Sequence, residues 1–194
     1  MPRRTNPWED QIQNLKVTLT PALTLLDELD ESLAPPFIAA IGKITRALVD
    51  GLEAVKRNKD ECFQLVGSIH GILYAIINAH LKSDTMGSLP PATLEQLGEF
   101  TKTLHKIFRF LEAQLEGNRI KRFLRQNETN GMLKECRAGL DQAMEVFKLQ
   151  SGYTVSDMSE AKKMSELMHE ELLELISILS DGINSDGSSL VWIF

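Results

Sequence analysis

The stretch that decides the fold is CFQLVGSIHGILYAIINAHL, residues 62–81, which contains no Asp, Glu, Lys or Arg. Leu, Val and Ile recur so densely that a helix here would be apolar on most sides, which is typical of a helix enclosed by others. The stretch is about long enough to cross a bilayer core. Gln64 and His70 would each be costly in lipid, however, so the sequence favours a central, buried helix. Gly67 and Gly71 would let a neighbouring helix approach closely.

Amphipathic segments lie on both sides of this helix. Before it, apolar residues recur at intervals of three and four from Phe37 to Val55, and Asn58 is expected to mark a break before the next helix. After it, similar segments run from Ala92 to Leu115 and, beyond a turn at Asn130-Gly131, from Leu133 to Phe147. The buried face of the segment that begins at Ala92 is expected to carry Leu94, Leu97, Leu104, Phe108, Leu111 and Leu115.

Two further helices flank these four. Apolar residues from Trp8 to Leu33 form an unbroken stripe, which Pro21 is expected to kink or divide. A second stripe follows the helix start at Asp157 and continues to Leu179 in an acidic segment. Neither stripe is needed to complete a core of four helices, so both are expected to be additions to it.

No segment alternates with a period of two for long enough to predict a strand. The fold class is therefore all-α: an antiparallel four-helix bundle over residues 35–151, with an extra N-terminal helix in residues 1–34. Residues 152–183 are expected to form a C-terminal brace-like helix, and residues 184–194 a flexible tail.

Composition narrows the classes of function. The net charge of −6 and the pI near 5.3 give no general attraction to nucleic acid, so a nucleic-acid partner is not expected. Cys62 and Cys136 each lie in an apolar stripe without metal-ligand spacing, which is typical of buried thiols in a reducing compartment. No apolar signal-peptide core follows the first arginines, so a cytoplasmic location is expected.

The sequence contains no recognisable catalytic motif. His70, His80, His105 and His169 have no partner at metal-ligand spacing, and neither His-Glu-x-x-His nor Cys-x-x-Cys occurs. Gly42-Lys43 is followed by Ile44, which a phosphate-binding P-loop does not allow. We therefore expect a protein without cofactor or metal that is not an enzyme, with a small enzyme as the least favoured of three hypotheses.

Charge is segregated along the chain. Residues 36–149 hold sixteen basic and thirteen acidic side chains, whereas residues 1–31 hold three and six, and residues 157–186 hold two and eight. Two basic clusters stand out at helix ends and are candidate lipid-binding or partner-binding sites: Lys56, Arg57 and Lys59, then Arg119, Lys121, Arg122 and Arg125. Acidic lipid headgroups could bind such clusters. Solvated helix ends explain them equally well.

Two stretches resemble a known family. Residues 55–65, VKRNKDECFQL, and residues 118–124, NRIKRFL, are similar to the N-terminal four-helix bundle of the mixed lineage kinase domain-like family. The resemblance covers about Phe37 to Ser151. It implies a cell-death or innate-defence effector that binds acidic lipids, permeabilises membranes and is restrained by the helices that follow the bundle. The wider superfamily includes the helical adaptor domain of the Cbl signalling proteins.

Two functional hypotheses remain open. In the first, the chain is recruited from the cytoplasm to acidic lipids of the plasma membrane, and the acidic helix from Asp157 to Leu179 covers the basic bundle until it is released. In the second, the chain is an adaptor or scaffold in receptor signalling. Its apolar stripe from Trp8 to Leu33 would then bind a helix of a partner or of a second copy.

Overall fold

A computed structural model describes residues 6–81, 89–115 and 126–151, and within these ranges the chain is helical and contains no strand. These ranges contain five α-helices: α1 (Pro7–Leu33), α2 (Ile38–Gly51), α3 (Lys59–Leu81), α4 (Pro91–Leu115) and α5 (Gln126–Ser151). A 3₁₀ turn, Leu52–Ala54, extends α2 towards α3. The all-α prediction is confirmed for this part of the chain.

The ends of α1 follow from its sequence. Asn6 caps the first turn by accepting a hydrogen bond from the Trp8 N–H at 3.2 Å, and Pro7 begins the helix, where a proline needs no backbone donor. Pro21 does not divide α1, because the helix continues without a break to Leu33. It ends at Ala34, whose φ of 44° lies in the left-handed region and whose N–H bonds to the Asp30 carbonyl at 2.8 Å.

Each helix packs mainly against two others. Helix α1 contacts α2 and α3, α4 contacts α2 and α5, and α3 also contacts α5. The order around the bundle is therefore α1, α2, α4, α5 and α3, and the buried side chains of all five helices form one hydrophobic core.

Side-chain contacts fix the helix directions. The defining contacts are Lys16–Asp50 and Asp27–Arg46 for α1 and α2, Phe37–Gly98 and Gly51–Leu111 for α2 and α4, Lys106–Glu135 and Phe100–Phe147 for α4 and α5, Glu61–Arg137 and Gly71–Met144 for α3 and α5, and Trp8–Phe63 and Thr18–His70 for α1 and α3. Helices α1, α3 and α5 thus run one way, and α2 and α4 run the other. We call the end where α2 and α4 finish and the other three begin the junction end.

Helix α1 is part of the core and not an addition to it. Ile12, Leu15, Leu19, Leu26 and Leu29 are each at most 2% exposed and belong to the same cluster as the apolar side chains of α3. The prediction that this stripe is free to bind a partner is therefore wrong. The reason is that α2 and α3 leave between them an apolar surface that α1 fills.

The prediction for the central helix is confirmed. Every residue of α3 from Ile72 to His80 is buried. Gly71 allows the close approach of α5, since a methyl group there would lie 3.0 Å from the Met144 terminal carbon. Helix α3 is also the one helix among the described residues whose length and composition would suit a membrane span, and most of that span is buried inside the protein.

One local prediction is wrong, and another is confirmed only in part. The turn expected at Asn130-Gly131 lies inside α5, which begins at Gln126, and Gly131 does not adopt a positive φ. On α4 the prediction is confirmed for Leu97, Leu104 and Leu111, which are buried, whereas Leu94, Phe108 and Leu115 are partly buried and pack against the core. The core also takes Phe100, Ile107 and Phe110, because α2 and α5 together cover a wider arc of α4 than one stripe.

Several predictions lie outside the described residues. These are the basic residues Arg119, Lys121, Arg122 and Arg125, the brace-like helix in 152–183 and the tail in 184–194.

Candidate functional site at the α2–α3 junction

The first predicted basic cluster lies at the junction end, between the 3₁₀ turn and α3. Val55 is extended, with φ −63° and ψ 127°, and Asn58 has a φ of 46° in the left-handed region, which asparagine tolerates better than most residues. The Asn58 carbonyl then accepts the first hydrogen bond of α3, from the Cys62 N–H at 3.0 Å. Two changes of backbone direction within four residues thus separate α2 from α3, which confirms the break predicted at Asn58.

This junction is bonded to the last turn of α4. The Lys56 N–H donates to the Gln114 carbonyl at 3.2 Å, and the Asn58 side-chain amide donates to Gln114 Oε1 at 3.1 Å. The Arg57 guanidinium donates to the Ala113 carbonyl at 2.5 Å. These bonds join the junction to two consecutive carbonyl groups and one side chain of α4. We call the contact of Lys56, Arg57 and Asn58 with Ala113 and Gln114 the α4 latch.

Gln114 is the residue that sequence reasoning missed. It is 2% exposed, and its own amide donates to the Phe110 carbonyl at 3.0 Å, so both ends of its side chain have partners. The sequence signal for this role is weak: Gln114 lies four residues after Phe110, on the same face of the helix. That pattern does not distinguish a buried glutamine from a solvated one.

Lys59 has an aromatic partner at the start of α1. Its ammonium lies 5.0 Å from the centroid of the Trp8 ring, and Trp8 meets Phe63 edge to face with centroids 6.1 Å apart. A cation over an indole face is attracted by the negative face of the ring. Lys59 therefore helps to fix the beginning of α1 on α3, in addition to contributing positive charge.

Ion pairs neutralise two of the carboxylates near the cluster. Glu53 binds Lys16 at 2.6 Å, and this hydrogen bond raises the pKa of the Lys16 ammonium. Glu61 pairs with Arg137 across α3 and α5. Lys56 itself is exposed. Glu53 and Glu61 are thus paired with cations from outside the cluster, whereas Asp60, next to Lys59, is exposed; Lys56 is the most exposed cation of the cluster.

The other predicted basic cluster adjoins the same end in the sequence. Helix α4 ends at Leu115 beside the latch, four residues before Arg119, and α5 begins at Gln126, directly after Arg125. Of the seven predicted site residues, the structure thus brings Lys56, Arg57 and Lys59 together, and the other four lie outside the described residues.

Three potentially reactive side chains in the described ranges are buried, and burial shifts the pKa of each. Burial raises the pKa of the Cys62 thiol to about 12 and that of Cys136 to about 11, so neither forms the nucleophilic thiolate readily. Burial also lowers the pKa of His70 to about 4. No group of three or more His, Cys, Asp or Glu residues that could hold a metal ion occurs within residues 6–81, 89–115 and 126–151.

No family model, curated protein or solved structure matches this chain. The family resemblance noted in residues 55–65 and 118–124 therefore stays a prediction from those residues.

Proposed function

We propose that this protein is a non-catalytic helical signalling domain that engages acidic membrane lipids, as a cell-death or innate-defence effector. The observation that carries the proposal is the placement of Lys56, Arg57 and Lys59 at the junction end, where the chain also enters and leaves the segment containing the second basic cluster. One end of a helical bundle rich in lysine and arginine suits a surface of anionic headgroups.

Charge segregation supports a restrained form of the same domain. Residues 157–186 carry eight acidic and two basic side chains, so this segment could cover the basic end until a signal releases it. The proposed location is the cytoplasm, with recruitment to the plasma membrane on release. In this proposal residues 35–151 act as the four-helix unit that the resemblance implies, and α1 stabilises that unit by filling its core.

A helical protein partner or a second copy is the alternative means of signalling. Since the apolar face of α1 is buried, an adaptor of this kind would have to use another surface. Among the described residues, Val17 and Phe37 are the large apolar side chains with substantial exposure; Val17 lies within α1, and Phe37 is the N-cap of α2. Two separated side chains do not make an apolar docking face, so lipid engagement is the function that we favour.

Vesicle binding tests the proposal. The full chain should sediment with phosphatidylcholine vesicles that contain phosphatidylserine and remain in solution with vesicles of phosphatidylcholine alone. Lys56→Glu should weaken binding at least about five-fold, because each basic residue near an anionic surface contributes about 1 kcal/mol. The matched control is Lys43→Glu, an exposed lysine on α2 near the opposite end. Equal losses in the two variants, or equal binding to both kinds of vesicle, would contradict the proposed site.

A further inference from the structure

We propose that the α4 latch regulates the lipid site. Binding of a phosphate-bearing headgroup to Arg57 disfavours the closed latch, and the closed latch weakens that binding. The inference rests on the proposed function, and it names Arg57 as the residue through which the site and the fold are coupled.

The position of Arg57 in the closed latch disfavours an anion. Its guanidinium points at the Ala113 carbonyl in the last turn of α4, next to the Gln114 carbonyl that accepts from the Lys56 N–H. A helix C-terminus carries roughly half a negative charge. A phosphate group that approached Arg57 here would therefore meet the same carbonyl oxygens that the guanidinium satisfies. Binding should be stronger when Arg57 turns away from α4.

The latch is also a single connected unit. Asn58 is held in the left-handed region while its side chain bonds to Gln114, and Gln114 is bonded in turn to Phe110 within α4. Loss of the Arg57 contact leaves fewer bonds to hold this junction and the end of α4 together. A ligand that prefers the open state shifts the equilibrium towards it, and any change that weakens the closed state must raise the affinity for that ligand.

Gln114→Met in the full chain tests whether a weaker latch raises the affinity for lipid. Methionine keeps the length of the side chain but removes its two hydrogen bonds, to Asn58 and to Phe110, and leaves the backbone carbonyl that accepts from the Lys56 N–H. Gln96→Met, on the same helix and away from the latch, is the matched control. We expect Gln114→Met to bind phosphatidylserine-containing vesicles about five-fold more tightly than the wild type, the equivalent of one neutral hydrogen bond, and Gln96→Met to bind like the wild type.

A second variant and a second measurement keep the test decisive. Asn58→Gly removes the bond to Gln114 at an exposed position and suits the left-handed backbone, so it should fold even if Gln114→Met does not. In the wild type, vesicles should also increase hydrogen exchange of the amides of Glu112–Leu115. The same increase with inorganic phosphate alone would identify a free phosphate, and not a lipid, as a sufficient ligand for Arg57.

The outcomes distinguish the two proposals. If latch variants and wild type bind vesicles equally, or the variants bind more weakly, the coupling is wrong and the proposed function stands. If neither the wild type nor the latch variants bind, both are wrong. Binding by the latch variants alone would support both proposals, with a latch that is closed almost completely in the wild type.

Discussion

Replacement of Leu19 by alanine is the most direct test of the role of α1. Leu19 is 0% exposed and belongs to the core cluster, whereas Val17, two residues earlier on the same helix, is 50% exposed. Leu→Ala at a fully buried site costs about 3 kcal/mol, from lost burial and from the cavity left behind. Val17→Ala should change the free energy of unfolding by less than about 0.5 kcal/mol.

Urea denaturation followed by far-UV circular dichroism measures the difference. In thermal denaturation followed by the same signal, we expect the melting temperature of Leu19→Ala to fall by roughly 6–12 °C for a chain of this size and that of Val17→Ala to stay close to the wild-type value. Helix propensities of ordinary residues differ by at most about 0.7 kcal/mol, so a difference of about 3 kcal/mol between the two variants on one helix reports burial.

The opposite pattern would refute the placement of α1. If α1 were a free docking helix, Leu19→Ala would reduce binding to a partner or self-association and leave the free energy of unfolding within about 0.5 kcal/mol of the wild-type value. Sedimentation velocity on the same samples provides the second measurement, since loss of self-association with unchanged stability would restore the adaptor hypothesis for this face.

Two further predictions concern stability. Ala34→Gly should stabilise the protein by about 1 kcal/mol, because Ala34 ends α1 with a φ of 44°. Ala47→Gly, on the exposed side of α2, should destabilise it by about as much. Urea denaturation that gave the two changes the same sign would contradict the capping geometry. Burial lowers the pKa of His70 to about 4, so the imidazole binds a proton less tightly in the folded state than in the unfolded state. The free energy of unfolding should therefore decrease as the pH falls from about 6.5 towards 4. Between about pH 7 and about pH 5 the loss should be about 2 kcal/mol, and His70→Gln should lack that share of the pH dependence.

The sequence predicted the helices better than it predicted their packing. Periodicity located α1 and α3, and the left-handed Asn58 is a residue type that often breaks helices. Periodicity shows which face of a helix is apolar but not what covers it. The sequence therefore predicts α1 as an addition to the bundle, whereas its apolar face is part of the common core. The turn at Asn130-Gly131 failed for a related reason: local turn propensity is weak, and a helix that packs on α3 and α4 overrides it.

The candidate site was predictable only as a list of charges. Lys56, Arg57 and Lys59 are adjacent in the sequence, so their clustering needed no structure. Their partners are distant in the sequence: Gln114 for the Lys56 backbone and the Asn58 side chain, and Trp8 for Lys59. Such contacts depend on the order and direction of the helices around the core, which the pattern of a single sequence does not reveal.

These partners decide which substitution tests lipid binding cleanly. A change at Arg57 removes a bond to the end of α4, and a change at Lys59 removes the cation over Trp8, so either can alter the fold as well as the charge. Lys56 contributes to the latch through its backbone N–H, which Lys56→Glu keeps, while its side chain is exposed. Loss of vesicle binding in Lys56→Glu with an unchanged melting temperature therefore reports on charge, whereas the same loss in Arg57→Glu or Lys59→Glu would not separate charge from structure.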